Sequence, residues 1–227
     1  MNKTLNTSGV DMSSVVVFDM DKTLLSGDAT KEWMLMRFKS GVIRFSLALV
    51  CAPFALLLLR TNRFKSIGAS ALFYVASFGM NEKELLDSFL CFASDLADGN
   101  MASIHWMNDG LHEISLHQRE GRRIIIVTGS PEIFAKEIFS AKNIDVEVIG
   151  TILSKKTLGG WVGKHHCRNQ EKVRRILNRG VESRWHSTYT DDIDEDYPIL
   201  VNAQEKFLIN SRRGKDKIGD IKYLSWK

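Results

Sequence analysis

Hydrophobic and polar positions change character twice along the chain. Val15 to Asp19 reads VVVFD, a short β-branched run ending in acid, which is the pattern of a strand buried on both faces. After Gly27 the pattern turns helical and carries long apolar stretches to about Gln118, with no strong strand signal. Alternation of strand and helix then begins. Arg123 to Thr128 predicts a second buried strand, and Pro131 suits the first turn of a helix Glu132 to Lys142, where its missing N–H is not needed. Val146 to Leu153 and Gly160 to Gly163 flank a Gly-Gly turn and predict a strand pair. A Lys- and Arg-rich helix Gln170 to Asn178 follows, then a strand Trp185 to Thr190, a helix near Pro198 to Ala203 and a strand Phe207 to Ile209. That rhythm predicts an α/β fold with a parallel sheet.

The sheet is therefore expected from residues 15–28 and 121–227, with 29–120 inserted as a mainly helical unit just after the first strand. Open α/β sheets bind ligands at the carboxyl ends of their strands, so the insertion is expected to hang over the site. Within it, residues 45–59 read FSLALVCAPFALLLL, bounded by Arg44 and Arg60 and interrupted by Pro53, and a second uncharged run spans 66–81. The first run is shorter than the roughly 20 residues a spanning helix needs. Two readings stand side by side. Both runs pack as buried helices, with Pro53 marking a kink, or they form an apolar surface that meets a membrane. In the second case Arg60, Arg63 and Lys65 disfavour a hairpin plunging tip-first, and lying flat is expected, with leucines in the acyl boundary and cations at anionic headgroups.

Composition narrows this picture. At 227 residues with 44% hydrophobic and 26% charged residues, the chain is neither disordered nor a disulfide-stapled mini-protein, and its length suits one domain, with or without an insertion. A net charge of +4 permits an anionic partner without identifying one, and no nucleic-acid-binding motif occurs. Cys51, Cys91 and Cys167 form no CxxC pair, which argues against a structural zinc site and for a reducing, cytoplasmic setting. Met1 to Ser14 is polar, lacks the apolar run of a secretory signal and reads as a loose arm. His165, His166 and Cys167 are adjacent in an extended segment, where neighbouring side chains point to opposite faces and do not readily chelate one ion.

Candidate chemistry lies at the strand ends. Four patches end predicted strands or open the helix after them: Asp19-Met20-Asp21-Lys22-Thr23, Thr128-Gly129-Ser130, Lys172, and Thr190-Asp191-Asp192 followed by Asp196. Two carboxylates separated by one residue can divide labour, Asp19 attacking phosphorus while Asp21 delivers a proton to the leaving oxygen. A phosphate dianion repels such a nucleophile, so a divalent cation is expected, and Asp oxygens suit Mg²⁺. Asp191, Asp192 and Asp196 are its candidate ligands with Asp19 and Asp21. Lys172 would neutralise charge, while Thr128, Gly129, Ser130 and Thr23 would hold phosphate oxygens.

In order and context these four patches resemble the motifs of the haloacid dehalogenase-like (HAD) phosphohydrolases. The resemblance implies a Rossmann-like core with an inserted α-helical cap, an aspartyl-phosphate intermediate, Mg²⁺, and metal ligation by the backbone carbonyl of Asp21. An insertion between the first and second motifs resembles the phosphoserine phosphatase-like branch, subfamily IB. VTGSP at Val127 to Pro131, GGWV at Gly159 to Val162, Cys167, and EKV at Glu171 to Val173 are similar to the phosphatidylglycerophosphatase C group. That similarity implies a membrane lipid phosphate such as phosphatidylglycerophosphate as substrate, at the inner face of the cytoplasmic membrane. The rivals are a soluble small-metabolite phosphatase and a non-catalytic membrane adaptor. The family pattern has Gly where Lys22 stands, and the fourth motif can be read with Asp191 or Asp192 as metal ligand.

Overall fold

Among the described residues, seven strands form one sheet in the spatial order β4-β3-β2-β1-β5-β6-β7. They are β1 Val15–Phe18, β2 Arg123–Pro131, β3 Glu147–Lys155, β4 Trp161–His165, β5 Trp185–Thr190, β6 Ala203–Ile209 and β7 Ile221–Leu224. Neighbours pair in parallel except β3 and β4, which are antiparallel. This computed structural model describes residues 14–60, 64–211 and 218–227. The expected arm before Ser14, Arg63 of the connector, and the basic Arg212, Arg213, Lys215 and Lys217 lie outside the described residues.

β1 is buried along its whole length because helices cover both faces of the sheet. Val16 and Phe18 point into a core shared with Phe134 and Phe139 of α6 (Glu132–Ala141) and Ile114 of α5 (Asn108–Arg119). Val15 and Val17 point the other way, toward Val173 and Ile176 of α7 (Gln170–Leu177) and Ile199 of α8 (Ile193–Val201). Two covered faces explain why the strand reads as an unbroken apolar run rather than an alternating one.

Between β1 and β2 the chain runs through α1 Ala29–Lys39, α2 Val42–Leu59, α3 Lys65–Ala76, α4 Glu82–Ala97 and α5. Asp28 caps α1 by accepting from the Lys31 N–H at 2.8 Å, and Asn81 with Glu84 closes a reciprocal capping box on α4. Trp33 of α1 is the hub of this segment, stacked on Phe73, edge-on to Phe89, and donating to Ser88 at 3.0 Å. α5 packs on the sheet, where His117 meets the Tyr189 hydroxyl at 3.0 Å. After Arg44 and Ser46 near its start, α2 is apolar on every face. Phe45, Ala48, Leu49, Ala52 and Leu56 line a cavity, whereas Val42, Ile43, Val50, Phe54 and Leu57 are exposed elsewhere on the helix. Among the described residues, no helix is long and apolar enough to cross a membrane.

Three sequence expectations need correction. α8 begins at Ile193 rather than near Pro198, because the Asp192 carboxylate caps it and the acidic first turn conceals its apolar face. Ala203 opens β6 rather than closing that helix, so the strand starts earlier than Phe207. β7 was not expected. Its half-exposed IKYL carries too little apolar patterning to announce an edge strand.

Candidate active site

The sheet's chain order reverses at β1, with β2 on one side and β5 on the other, which places a crevice beyond the end of β1. Asp19 follows β1 directly and its N–H donates to the Tyr189 carbonyl at 2.9 Å, extending the β1–β5 pairing by one step. The chain then folds tightly: the N–H groups of Thr23, Leu24 and Leu25 all converge on the Met20 carbonyl at 3.3, 2.9 and 3.0 Å. Lys22 sits in this turn at φ 62, the left-handed region that glycine occupies without strain, which explains the family's preference there. Its side chain lines the cavity, and its charge pulls the Asp191 pKa down.

One ammonium organises two carboxylates. Lys172 Nζ stands 2.8 Å from Asp19 Oδ1 and 2.6 Å from Asp196 Oδ1, and all three side chains are nearly sealed from solvent. Asp196 also accepts from the Thr190 hydroxyl at 2.6 Å, and Thr23 Oγ1 lies 3.4 Å from Asp19 Oδ2. Burial alone would lower the Lys172 pKa, but the two carboxylates more than reverse it and hold the ammonium charged. Burial pushes Asp19 well above the usual carboxylate range against the pull of Lys172, with Asp196, Asp191 and Asp21 adding repulsion.

Asp21 is gripped by donors on both oxygens. Oδ1 accepts from the Ala29 N–H at 2.8 Å, and Oδ2 accepts from the Ser130 hydroxyl at 2.7 Å and the Thr128 hydroxyl at 3.2 Å. Thr30 donates in turn to Ser130 at 2.7 Å. Burial, followed by the charge of Asp28, raises the Asp21 pKa to about 7, so the group can give and take a proton near neutrality. The regular β2–β3 pairing breaks between Val127 and Pro131, which frees the Thr128-Gly129-Ser130 backbone to curve around the crevice.

The three acids after β5 have different tasks. Asp192 is exposed and accepts from the Asp194 and Glu195 N–H groups at 2.9 and 3.1 Å as the α8 cap. Asp196 is committed to Lys172 and Thr190. Asp191 lines the cavity, its pKa raised to about 6 by burial and then by Asp192 and Asp196. Among the described residues, no cluster of three or more His, Cys, Asp or Glu side chains is arranged for a metal ion. Two mutually repelling carboxylates, Asp19 and Asp191, nonetheless fit Mg²⁺, which binds few protein oxygens and keeps several waters.

Around these groups lies a cavity of about 690 Å³. Asp19, Asp21, Gly129, Ser130, Lys172, Asp191, Asp192 and Asp196 line it directly, and Thr128 and Thr23 reach it through Asp21 and Asp19. Its outer wall is Met34, Leu35, Phe38 and the inner face of α2. Several contributors carried no sequence signal, among them Asp28, Thr30, Arg168 and Glu195, which belong to caps, a first helical turn and a loop. His166 turns toward the inserted helices, with Nε2 at 3.1 Å from Ser70, while Cys167 is buried in the opposite core.

Fold and site together define an α/β protein whose buried carboxylate pair faces a cavity roofed by inserted helices. The model of the haloacid dehalogenase-like hydrolases matches residues 16–199, and the chain belongs to that family. Comparison with curated proteins finds no match. Among solved structures, a protein of unknown function from Bordetella pertussis Tohama I is similar at TM-score 0.67 and 16% identity, covering 88% of this chain and 92% of that one. A substrate-bound phosphoserine phosphatase gives TM-score 0.59 at 11% identity, covering 92% of both chains. A phospho-aspartyl intermediate analogue of phosphoserine phosphatase gives 0.58 at 12%, again covering 92% of each. At these identities the likeness establishes the HAD fold with its cap, and nothing found singles out the phosphatidylglycerophosphatase C group.

Proposed function

We propose that this protein is a Mg²⁺-dependent phosphomonoester hydrolase working through an aspartyl-phosphate, with residues 29–120 as its cap and an amphiphilic, membrane-lipid phosphate as its substrate. The observation that carries the substrate class is the wall of the cavity: away from its charged groups, Leu35, Phe38, Phe45, Leu49 and Leu56 form a continuous apolar side. Such a wall gains by covering hydrocarbon and offers a small polar metabolite little.

In this reading an Asp19 oxygen bonds to phosphorus as the bond to the ester oxygen breaks, and Asp21 passes its proton to the departing alkoxide. Water then attacks the aspartyl-phosphate, gives a proton back to Asp21, and releases inorganic phosphate and the free Asp19 carboxylate. Lys172 holds Asp19 in place and offsets charge throughout, while Thr128 and the Gly129 backbone receive phosphate oxygens. Mg²⁺ held by Asp19, Asp191 and the Asp21 carbonyl would supply charge neutralisation for the phosphoryl oxygens. Asp191 is preferred over Asp192 because the latter is exposed and turns back to cap α8, its Oδ1 taking two backbone N–H groups.

The fold shared with solved phosphoserine phosphatases favours a second reading, a soluble phosphate monoester bound under the same cap. Phosphate release with Mg²⁺ from lipid phosphates in mixed micelles, sugar phosphates and phosphoamino acids separates the two. The lipid reading expects kcat/KM at least about 10-fold higher on the lipid, the discrimination an apolar pocket provides. A preference for phosphoserine would establish the second reading, and no hydrolysis of any substrate would sink both.

A further inference from the structure

Arg168 lies in the loop between β4 and α7. Its guanidinium lies close over Gly129, where an added Cβ would stand 3.4 Å from Nε and 3.5 Å from Nη2. Nη1 reaches Glu195 at 3.3 Å, and Glu195 also accepts from Lys65 of α3 at 2.7 Å. Two cations against one carboxylate leave a net positive charge. The Arg168 Nε is sealed from solvent and, among the described residues, meets no hydrogen-bond acceptor. Arg168, Glu195 and Lys65 all line the cavity that holds Asp19.

The transferring phosphoryl group already has its own ammonium in Lys172, which is locked between Asp19 and Asp196. The ion-pair partner of Arg168 is Glu195, and the Lys65–Glu195 pair joins the inserted helices to the core. That seam borders the same cavity as the carboxylates and the apolar wall. We infer that Arg168 is a specificity residue that binds a second anionic group on the substrate, next to the ester being cleaved. An anionic group meeting the guanidinium from the cavity would offset the positive charge that Glu195, bonded to Nη1, leaves uncompensated. A lipid headgroup phosphodiester and the carboxylate or second phosphate of a free metabolite offer the same chemistry. The inference rests on the phosphomonoesterase reading but not on the substrate being a lipid.

The test uses matched pairs of substrates that differ in the second anion. Phosphoserine and phosphoethanolamine form the soluble arm; phosphatidylglycerophosphate and phosphatidate, in the same micelles, form the lipid arm. In Arg168→Met, KM for the doubly anionic member of the working arm should rise about 10- to 100-fold, the loss expected for a charge-assisted hydrogen bond, with kcat little changed. Its partner should move less than about 3-fold, and Arg168→Lys, which keeps the charge but not the fork, should fall between. Equal effects on both members of each pair, or none on either, would overturn the inference. An effect confined to the soluble arm would retain Arg168 and remove the lipid reading. If the wild type cleaves nothing, calorimetric binding of the same four compounds replaces KM, and loss of the phosphatase reading is then distinct from loss of this one. Circular dichroism checks folding, and Arg168→Lys decides if the Met variant does not fold.

Discussion

Two regions of the molecule break the ordinary rules of burial in opposite directions. At the end of β1, Lys172 is 2% exposed between Asp19 at 6% and Asp196 at 2%. On the far side of α2, Val42 is 82% exposed and Phe54 72%. Buried charges persist only where each has a partner, and here the partners come from β1, α7 and α8, so three distant stretches of chain must agree on one geometry. An exposed apolar face has no such agreement to enforce it, and chains keep one when something other than this chain covers it. The first region is thus specified from within the molecule and the second by its surroundings. Substitutions should respond accordingly.

The sharpest break is at the nucleophile. Asp19→Asn keeps the shape of the side chain and an acceptor for Lys172, so the fold should survive while Mg²⁺-dependent phosphate release drops by about 10⁴-fold or more. Retained activity would end the assignment. Asp21→Asn removes the proton donor and should lower the rate by about 10²- to 10⁴-fold with the fold retained, since the amide oxygen can accept from the Ala29 N–H while the amide NH2 donates to the Ser130 hydroxyl.

Next comes the ammonium. Lys172→Met leaves Asp19 and Asp196 facing each other in a sealed site, and removing one partner of a buried ion pair costs about 3–5 kcal/mol. For a chain of this size that lowers the melting temperature by about 6–20 °C, measurable by scanning calorimetry. An unchanged midpoint would mean that the three groups do not form the sealed cluster described.

How much of this was legible in the sequence follows from the same contrast. β1, β2 and β5 announced themselves because both faces are buried, and the residues at their ends could be read as a set because the α/β fold brings strand ends together. Asp192 could not be told from Asp191, since the distinction depends on which carboxylate turns back to cap α8. Arg168 carried no signal because its role comes from lying over Gly129, a contact made by tertiary folding alone. The α8 boundary was misjudged because acidic capping residues mask the first turn, and β7 because a half-exposed edge strand lacks periodicity. α2 was legible as apolar, but its sequence alone did not say which residues would face the cavity.

A smaller effect belongs to the face of the sheet away from the carboxylates. His117 is 5% exposed, and burial, followed by the charges of Arg122 and His186, lowers its pKa from 6.5 to about 4. Arg122 Nη1 faces it at 2.9 Å and the Tyr189 hydroxyl at 3.0 Å, while Glu113 and Glu120 lie 3.5 and 3.9 Å away and His186 packs edge-on. The native ring stays neutral while the unfolded chain takes a proton below about pH 6.5, so stability is present above that value and declines toward pH 4. The loss attributable to this ring is on the order of 2 kcal/mol. The stability difference between wild type and His117→Gln, followed by urea unfolding across that range, should shrink as the pH falls. A constant difference would show that the ring takes its proton without penalty.

The smallest effect on stability should come from the outer face of α2, and it is the most informative about what covers that face. Ile43, Val50, Phe54 and Leu57 recur at helical spacing and are all exposed, so replacing Val50 and Phe54 by Lys should change the unfolding free energy by no more than about 0.5 kcal/mol each. Ala55, at 2% exposure on the packed side, provides the control: Ala55→Lys should destabilise strongly. If the outer face lies on a membrane, wild type should float with anionic vesicles and the Val50→Lys, Phe54→Lys variant should not, because each substitution exchanges a favourable apolar insertion for a buried charge. Failure of the wild type to float would remove the membrane from the account. Should the wild type instead sediment as a dimer that the same variant dissociates, the cover is a second copy of this chain, and the apolar cavity wall would owe its shape to that partner rather than to lipid.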